Sequence, residues 1–139
     1  MVIVPFDHAK HFNAIRRLIY KSDMDCVTHI LPDISLVAID DSKVIGYIGG
    51  HRAYGFTGFI DMFVVDPEHR NKEIGSKLGL SLMELFSALG ITRFFATVET
   101  DNILAKKFYE SLDISVYEIN EVKGNVQDTI AFLHKRLEL

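Results

Sequence analysis

Little in this chain points to chemistry carried by sulfur, by a metal or by a polyanion. It has one cysteine, Cys26, so no disulfide closes within it, which fits a reducing compartment. Cys26 reads as a small apolar residue in or near a core rather than as a nucleophile. The six histidines are scattered; only His8 and His11 stand a helical turn apart, and no cysteine or carboxylate joins them to complete a ligand set, so no metal is implied. No segment approaches the roughly 18 consecutive apolar residues of a membrane span. The opening Met1-Val2-Ile3-Val4-Pro5-Phe6-Asp7 lacks the basic start and long apolar stretch of a secretory signal. The expected location is therefore the cytoplasm, away from any membrane. Basic residues are not in excess: 15 Lys and Arg face 19 Asp and Glu, a net charge of −4 with the signs interleaved. Nucleic acid is not an expected partner.

What is present is the makeup of a folded globular protein, 48% apolar and 24% charged residues. At 139 residues it is long enough to bury a core and too short for two ordinary domains, so residues 1–139 are read as a single domain. There are no repeats, low-complexity tracts or linkers.

The order of elements follows from periodicity and punctuation. Val2 to Val4 is a short strand, and Asp7 caps a helix with Phe12, Ile15 and Ile19 inward and Arg16 and Arg17 outward, ended by Ser22 and Asp23. Residues 23 to 34 have little pattern beyond Val27, Ile30 and Leu31, and Pro32 closes any short helix there. Leu36 to Ile39 and Val44 to Ala53 form a hairpin across Asp40-Asp41-Ser42. Gly46, Gly49 and Gly50 inside its second strand mark a bulge or bend, or else a close approach by a ligand. A turn at Gly55 to Gly58 leads to the strand Phe59 to Val65 and the helix Ile74 to Leu89, stopped by Gly90. Then come the strand Arg93 to Glu99 and a helix capped by Asn102, with Ala105, Phe108, Tyr109 and Leu112 inward. Val116 to Val122 and Thr129 to Lys135 flank Lys123-Gly124-Asn125 and read as a terminal hairpin, whose exposed edge would suit a homodimer. The fold class is α/β, a mixed sheet with helices on its faces.

The most telling stretch is the strand, turn and helix from Ile60 to Leu78. An apolar β-branched run stops at Pro67, crosses a polar loop and re-emerges at Ile74-Gly75 as a helix. Unpaired amides in the first turn and the helix dipole make a site for a phosphate-like anion, and Arg70 and Lys72 add positive charge there.

Within this stretch, Phe63-x-Val65-x-Pro67-x-x-Arg70-x-x-Glu73-x-Gly75-Ser76 resembles the acyl-coenzyme A loop of the GNAT superfamily of N-acetyltransferases. Asn102-x-x-Ala105-x-x-Phe108-Tyr109-x-x-x-Asp113-Ile114 resembles that family's second motif. The two span residues 61 to 114. The resemblance implies a GNAT-like central mixed sheet of about six to seven strands flanked by about four helices. It also implies acetyl-CoA as co-substrate and transfer of its acetyl group to a primary amine of a small molecule or peptide by direct attack. The pantetheine arm would pair with the strand edge at Phe63, Val64 and Val65, and the diphosphate would sit on Arg70, Asn71, Lys72, Glu73, Ile74, Gly75 and Ser76. A strand amide near Phe63 to Val65 would polarise the thioester carbonyl. Asn102 would contact pantetheine besides capping its helix, and Tyr109 would protonate the departing thiolate. Outside this motif Tyr109 would be read as a packed core aromatic. Two positions depart from the family pattern: Glu73 stands where the loop usually has its first glycine, and Asp113-Ile114 replaces glycine and phenylalanine.

No motif fixes a base for the amine. Asp61 and Glu99 lie where strands should part and are the candidates, their ordinary alternative being solvated caps or salt-bridge partners. His51 is either a lining residue of the acceptor pocket or a surface histidine. Acceptor choice rests with the segments 20 to 34, 53 to 58 and 120 to 128, which carry no signal for one class. A different reading is a non-catalytic acyl-CoA-binding or regulatory module. A purely structural interaction domain would leave the Arg70 to Ser76 loop without a reason.

Overall fold

A computed structural model of the chain describes residues 1–22, 33–70, 73–98, 102–117 and 120–137. The chain runs β1 (Val2–Pro5), α1 (His8–Lys21), β2 (Ile34–Asp40), β3 (Lys43–Tyr54), β4 (Thr57–Val65), a short 3₁₀ turn (Pro67–His69), α2 (Ile74–Ala88), β5 (Arg93–Thr97), α3 (Ile103–Ser111), β6 (Glu121–Asn125) and α4 (Val126–Leu137). One six-stranded sheet forms in the order β1-β2-β3-β4-β5-β6, with β4 and β5 parallel and every other neighbouring pair antiparallel. No described helix is long and apolar enough to cross a membrane.

Local chemistry accounts for the element limits. Asp7 accepts the Lys10 amide at 3.2 Å and so starts α1. Asp41 and Ser42 take left-handed φ of 52° and 64°, the turn that suits the right-handed twist of a two-residue hairpin between β2 and β3. Each face of the sheet has its own core. On one, α2 brings Leu78, Leu82, Met83 and Phe86 against Ile48, Ile60 and Phe94, with Leu133 of α4 behind. On the other, Ile15, Leu18 and Ile19 of α1 cover Val37, Tyr47, Met62 and Val64.

The glycines of β3 serve this packing. A Cβ on Gly46 would lie 2.8 Å from Leu78 Cδ1, and one on Gly50 would run into the Phe59 carbonyl. The structure has the expected bulge, and it adds a close approach of protein to protein. The β3–β4 register slips between Gly49, opposite Met62, and Gly50, opposite Ile60, leaving Asp61 as the extra residue of β4.

The terminal hairpin is not what forms. Glu121–Asn125 is a strand, but it pairs with β5, and Val126–Leu137 is helical. Val116 makes only an isolated bridge to Val122. Asn125 was read as a turn residue, whereas its side chain accepts the Asp128 amide at 3.0 Å and caps α4. Val126, Ile130, Leu133 and Leu137 then recur at helical spacing, placing an apolar stripe on α2 and its surroundings. β6 is itself the last strand of the sheet. The expected segment around Val27 to Pro32, and Cys26, lie outside the described residues.

Candidate functional site

The site begins where the sheet opens. β4 pairs with β5 only from Thr57 to Ile60, opposite Arg93 to Ala96. Among the described residues, its stretch from Asp61 to Val65 has a strand neighbour on the β3 side alone. Main-chain groups on the other edge are thus offered to an extended chain, as an added strand would use them. The bulge at Asp61 stands at this parting point.

Below the opening, β4 is followed by Asp66, whose side chain is 1% exposed. Its carboxylate accepts the Glu68 amide at 3.0 Å and lies 3.0 Å from the Lys21 ammonium, with Lys43 and His69 each at 3.7 Å. Burial alone would push this carboxyl upward; the Glu68 amide and the Lys21 charge more than offset it and leave it below the ordinary value. Asp66 thus ties α1 to the turn that delivers Arg70, itself exposed, to the start of α2. Sequence reading passed over Asp66, although an aspartate directly before Pro67 is a start signal for a helical turn.

At the start of α2, Glu73 holds φ 62° and ψ 14° and its side chain does not cap the helix. A non-glycine residue in that region costs about 1–2 kcal/mol, which explains why a glycine is the usual occupant. The Glu73 carboxylate is 3.6 Å from Arg136 Nε of α4, and Arg136 also donates to the Ser111 carbonyl at 3.1 Å. Ile74 and Ser76 are buried. The first-turn amides have no helical acceptor, and the dipole favours an anion beside them. Asn71 and Lys72 lie outside the described residues.

The second motif packs against this start. Asn102 accepts the Ala105 amide at 3.1 Å, which is its capping role. Phe63 and Phe108 meet edge to face, centroids 4.9 Å apart, and Phe108 is 5.6 Å from Tyr109. Tyr109 is 6% exposed, among Ile48, Ile60, Met83 and Leu112. Burial pushes its phenol well above the ordinary value, so the ring stays protonated.

On the opposite face Asp61 and His51 come together: Oδ2 is 2.7 Å from the histidine Nδ1. Phe59 lies 5.6 Å from the imidazole, and Phe95 meets Phe59 edge to face at 4.8 Å. Sequence reading named His51 and Asp61 separately and missed the pair. Glu99, the other base candidate, lies outside the described residues.

A model of the acetyltransferase (GNAT) family matches residues 7–113. The chain is 28% identical over 130 residues to N-alpha-acetyltransferase 30 of Schizosaccharomyces pombe, covering 85% of this chain and 86% of that protein. Its fold is similar to that of Ard1 from Thermoplasma volcanium, with a TM-score of 0.76 at 20% identity over 88% of this chain and 93% of the other. It is also similar in fold to an aminoglycoside 6'-N-acetyltransferase complexed with coenzyme A, with a TM-score of 0.72 at 15% identity over 91% and 97% of the two chains.

Proposed function

The chain belongs to the GNAT acetyltransferase family, and from that premise we propose that it moves acetyl from acetyl-CoA to a primary amine by direct attack of the amine on the thioester. The observation that carries this reading is the parting of β4 from β5 at Ile60, immediately before a helix whose first turn has no side-chain cap. In the proposed mode the free edge from Asp61 to Val65 holds the pantetheine arm, with main-chain groups of Phe63, Val64 and Val65 along it. Amides at Ile74, Gly75 and Ser76 hold the diphosphate, with Arg70 and the neighbouring Asn71 and Lys72 around it. A β4 amide donates to the carbonyl oxygen as it gains charge. Asn102 flanks the arm from α3. Tyr109 donates to the departing sulfur, a role supported by burial that keeps the phenol protonated.

The class of amine is drawn from the curated relative, named as an N-alpha-acetyltransferase. We take the acceptor to be the α-amine of a polypeptide; small-molecule amines are its competitors.

Two measurements test the reading. Acetyl-CoA should raise the melting temperature by mass action on the folded state. Thiol release should then appear with peptides bearing a free α-amine and vanish when that amine is blocked. No thermal shift at millimolar acetyl-CoA removes the reading. A shift without thiol release from any peptide or small amine turns it into the non-catalytic acyl-CoA-binding module. Tyr109→Phe should lower kcat about tenfold with the shift intact, whereas equal loss of both makes Tyr109 a packing residue.

A further inference from the structure

The acetyl-transfer reading needs a group that takes a proton from the acceptor, because an amine arrives as an ammonium and only its neutral form attacks. Among the described residues, the pair of side chains His51 and Asp61 stands at the opening. Asp61 is the extra residue of the β4 bulge, so the register mismatch itself sets where its carboxylate goes. It lies at the residue where β5 leaves β4. His51, on the adjacent strand, is held at Nδ1 by Asp61 at 2.7 Å and packed against Phe59.

An ionised carboxylate only accepts, so the neutral ring carries its hydrogen on Nδ1 and presents its lone pair on Nε2. The ring is 42% exposed by its side chain and the carboxylate 30%, so an acceptor in water can reach the pair. Phe59 and Phe95, both half-buried on this face, form the floor beside it.

We propose that His51 Nε2 is the base that deprotonates the acceptor ammonium, and that Asp61 is the positioning residue that fixes its tautomer and steadies the imidazolium. The inference rests on the acetyl-transfer reading above. The acceptor ammonium gives one proton to Nε2, and the freed lone pair forms the C–N bond at the thioester carbonyl. The C–S bond then breaks as Tyr109 gives its proton to the sulfur, and the second nitrogen proton, passed through water, restores the Tyr109 hydroxyl. The products are an amide, a free thiol and an imidazolium that returns its proton to water. Asp61 stays ionised throughout.

The charges around His51 come from several elements. Asp61 is on β4, and Asp33 stands one residue before Ile34, whose partner on β3 is Gly50. Arg93 on β5 shares the side of Phe95 by strand alternation, and Lys123 on β6 is opposite Phe95 in the register. Arg52, next in sequence, is turned to the carbonyls of Gly55 and Leu89. Asp61 alone among these makes contact with the ring.

The test compares wild type, His51→Gln and Asp61→Asn in a thiol-release assay with free α-amine peptides and small primary amines, from about pH 5 to about pH 9. Wild-type kcat/KM should show an acid limb. His51→Gln should lower kcat about a hundredfold and lose that limb. Asp61→Asn should lower kcat about tenfold, the loss expected for a group that only orients another, and keep the limb. The peptide KM and the acetyl-CoA thermal shift should stay at the wild-type values in both. His51→Gln with full kcat and an unchanged limb overturns the proposal, as does loss of the thermal shift in both variants, which would make the pair structural. A wild type that binds acetyl-CoA and acetylates no amine overturns the acetyl-transfer reading, and the dyad with it.

Discussion

The two faces of the sheet are built for different work. The face under α2 is closed: Leu78, Leu82 and Phe86 are fully buried there, α3 and α4 fill in around them, and β3 gives up its side chains at Gly46 and Gly50 so that α2 can sit close. Among the described residues, the face under α1 is closed over Val37, Tyr47, Met62 and Val64, with Val4, Phe6, Ile39 and Val44 at the margin. Farther along the same strands it carries His51, Phe59, Asp61 and Phe95, none of them in either buried core. The bulge at Asp61 makes the division sharp, because one extra residue changes which side of β4 faces each helix: Ile60 belongs to the α2 core, and so does Phe63. One face thus supplies the stability that lets the other keep polar groups half in water, where an acceptor can meet them.

The largest expected effect breaks that division on its closed side. Leu78 is fully buried and touches the space a Gly46 side chain would fill, so Leu78→Ala should cost about 3 kcal/mol in denaturant unfolding. His51→Gln on the open side should change stability by less than about 0.5 kcal/mol. Similar losses at the two positions would mean that the open face also bears the fold.

The same contrast sets what the sequence reveals. The closed face and the loop beneath it are written in short-range signals: the Asp7 and Asn102 caps, the proline after β4, and the stripe of Ile74, Leu78 and Leu82 all sit where local reading places them. The open face depends on register. His51 and Asp61 meet because β3 and β4 are paired with one residue out of step; the glycines of β3 announce a bulge, but not which residue of β4 is the extra one. The C-terminal segment misleads for a different reason. Asparagine after glycine signals both a hairpin turn and a helix cap, and only the packing of Leu133 against α2 decides between them.

Asp66 joins the two faces, since Lys21 comes from α1 and the turn leads to α2. Asp66→Ala removes a cap worth about 1 kcal/mol and a charge-assisted hydrogen bond of similar size to a partly exposed lysine. The expected loss is about 2 kcal/mol by denaturant midpoint. The pH dependence has a definite sign. The folded carboxyl sits below its ordinary value of 3.8, so its contribution is complete above that value and is lost as the pH falls through the lower, folded one. Wild-type stability should therefore drop below about pH 4, and Asp66→Asn should flatten that drop while keeping the acceptor for the Glu68 amide. A variant that loses stability below pH 4 as steeply as wild type would assign the acid sensitivity to other carboxylates.

The smallest effect concerns the Glu73 carboxylate beside the proposed diphosphate site. Glu73 brings a carboxylate to the helix start, and Arg136 at 3.6 Å offsets it. Glu73→Gly relieves a left-handed φ of 62° but frees the unfolded chain, and it gives up an exposed ion pair, so its net effect on stability should be close to zero. Its effect on acetyl-CoA affinity should also be small, because the charge it removes is already paired. Arg136→Gln is the sharper probe. With its partner gone, the carboxylate faces the helix dipole and the phosphates uncompensated, a cost of about 1 kcal/mol or a factor of about five in Kd. Glu73→Gly added to Arg136→Gln should recover that factor, so the two changes are non-additive in titration calorimetry. Additive effects would mean that Arg136 acts on the coenzyme directly, and that the departure at Glu73 is balanced by something other than the C-terminal helix.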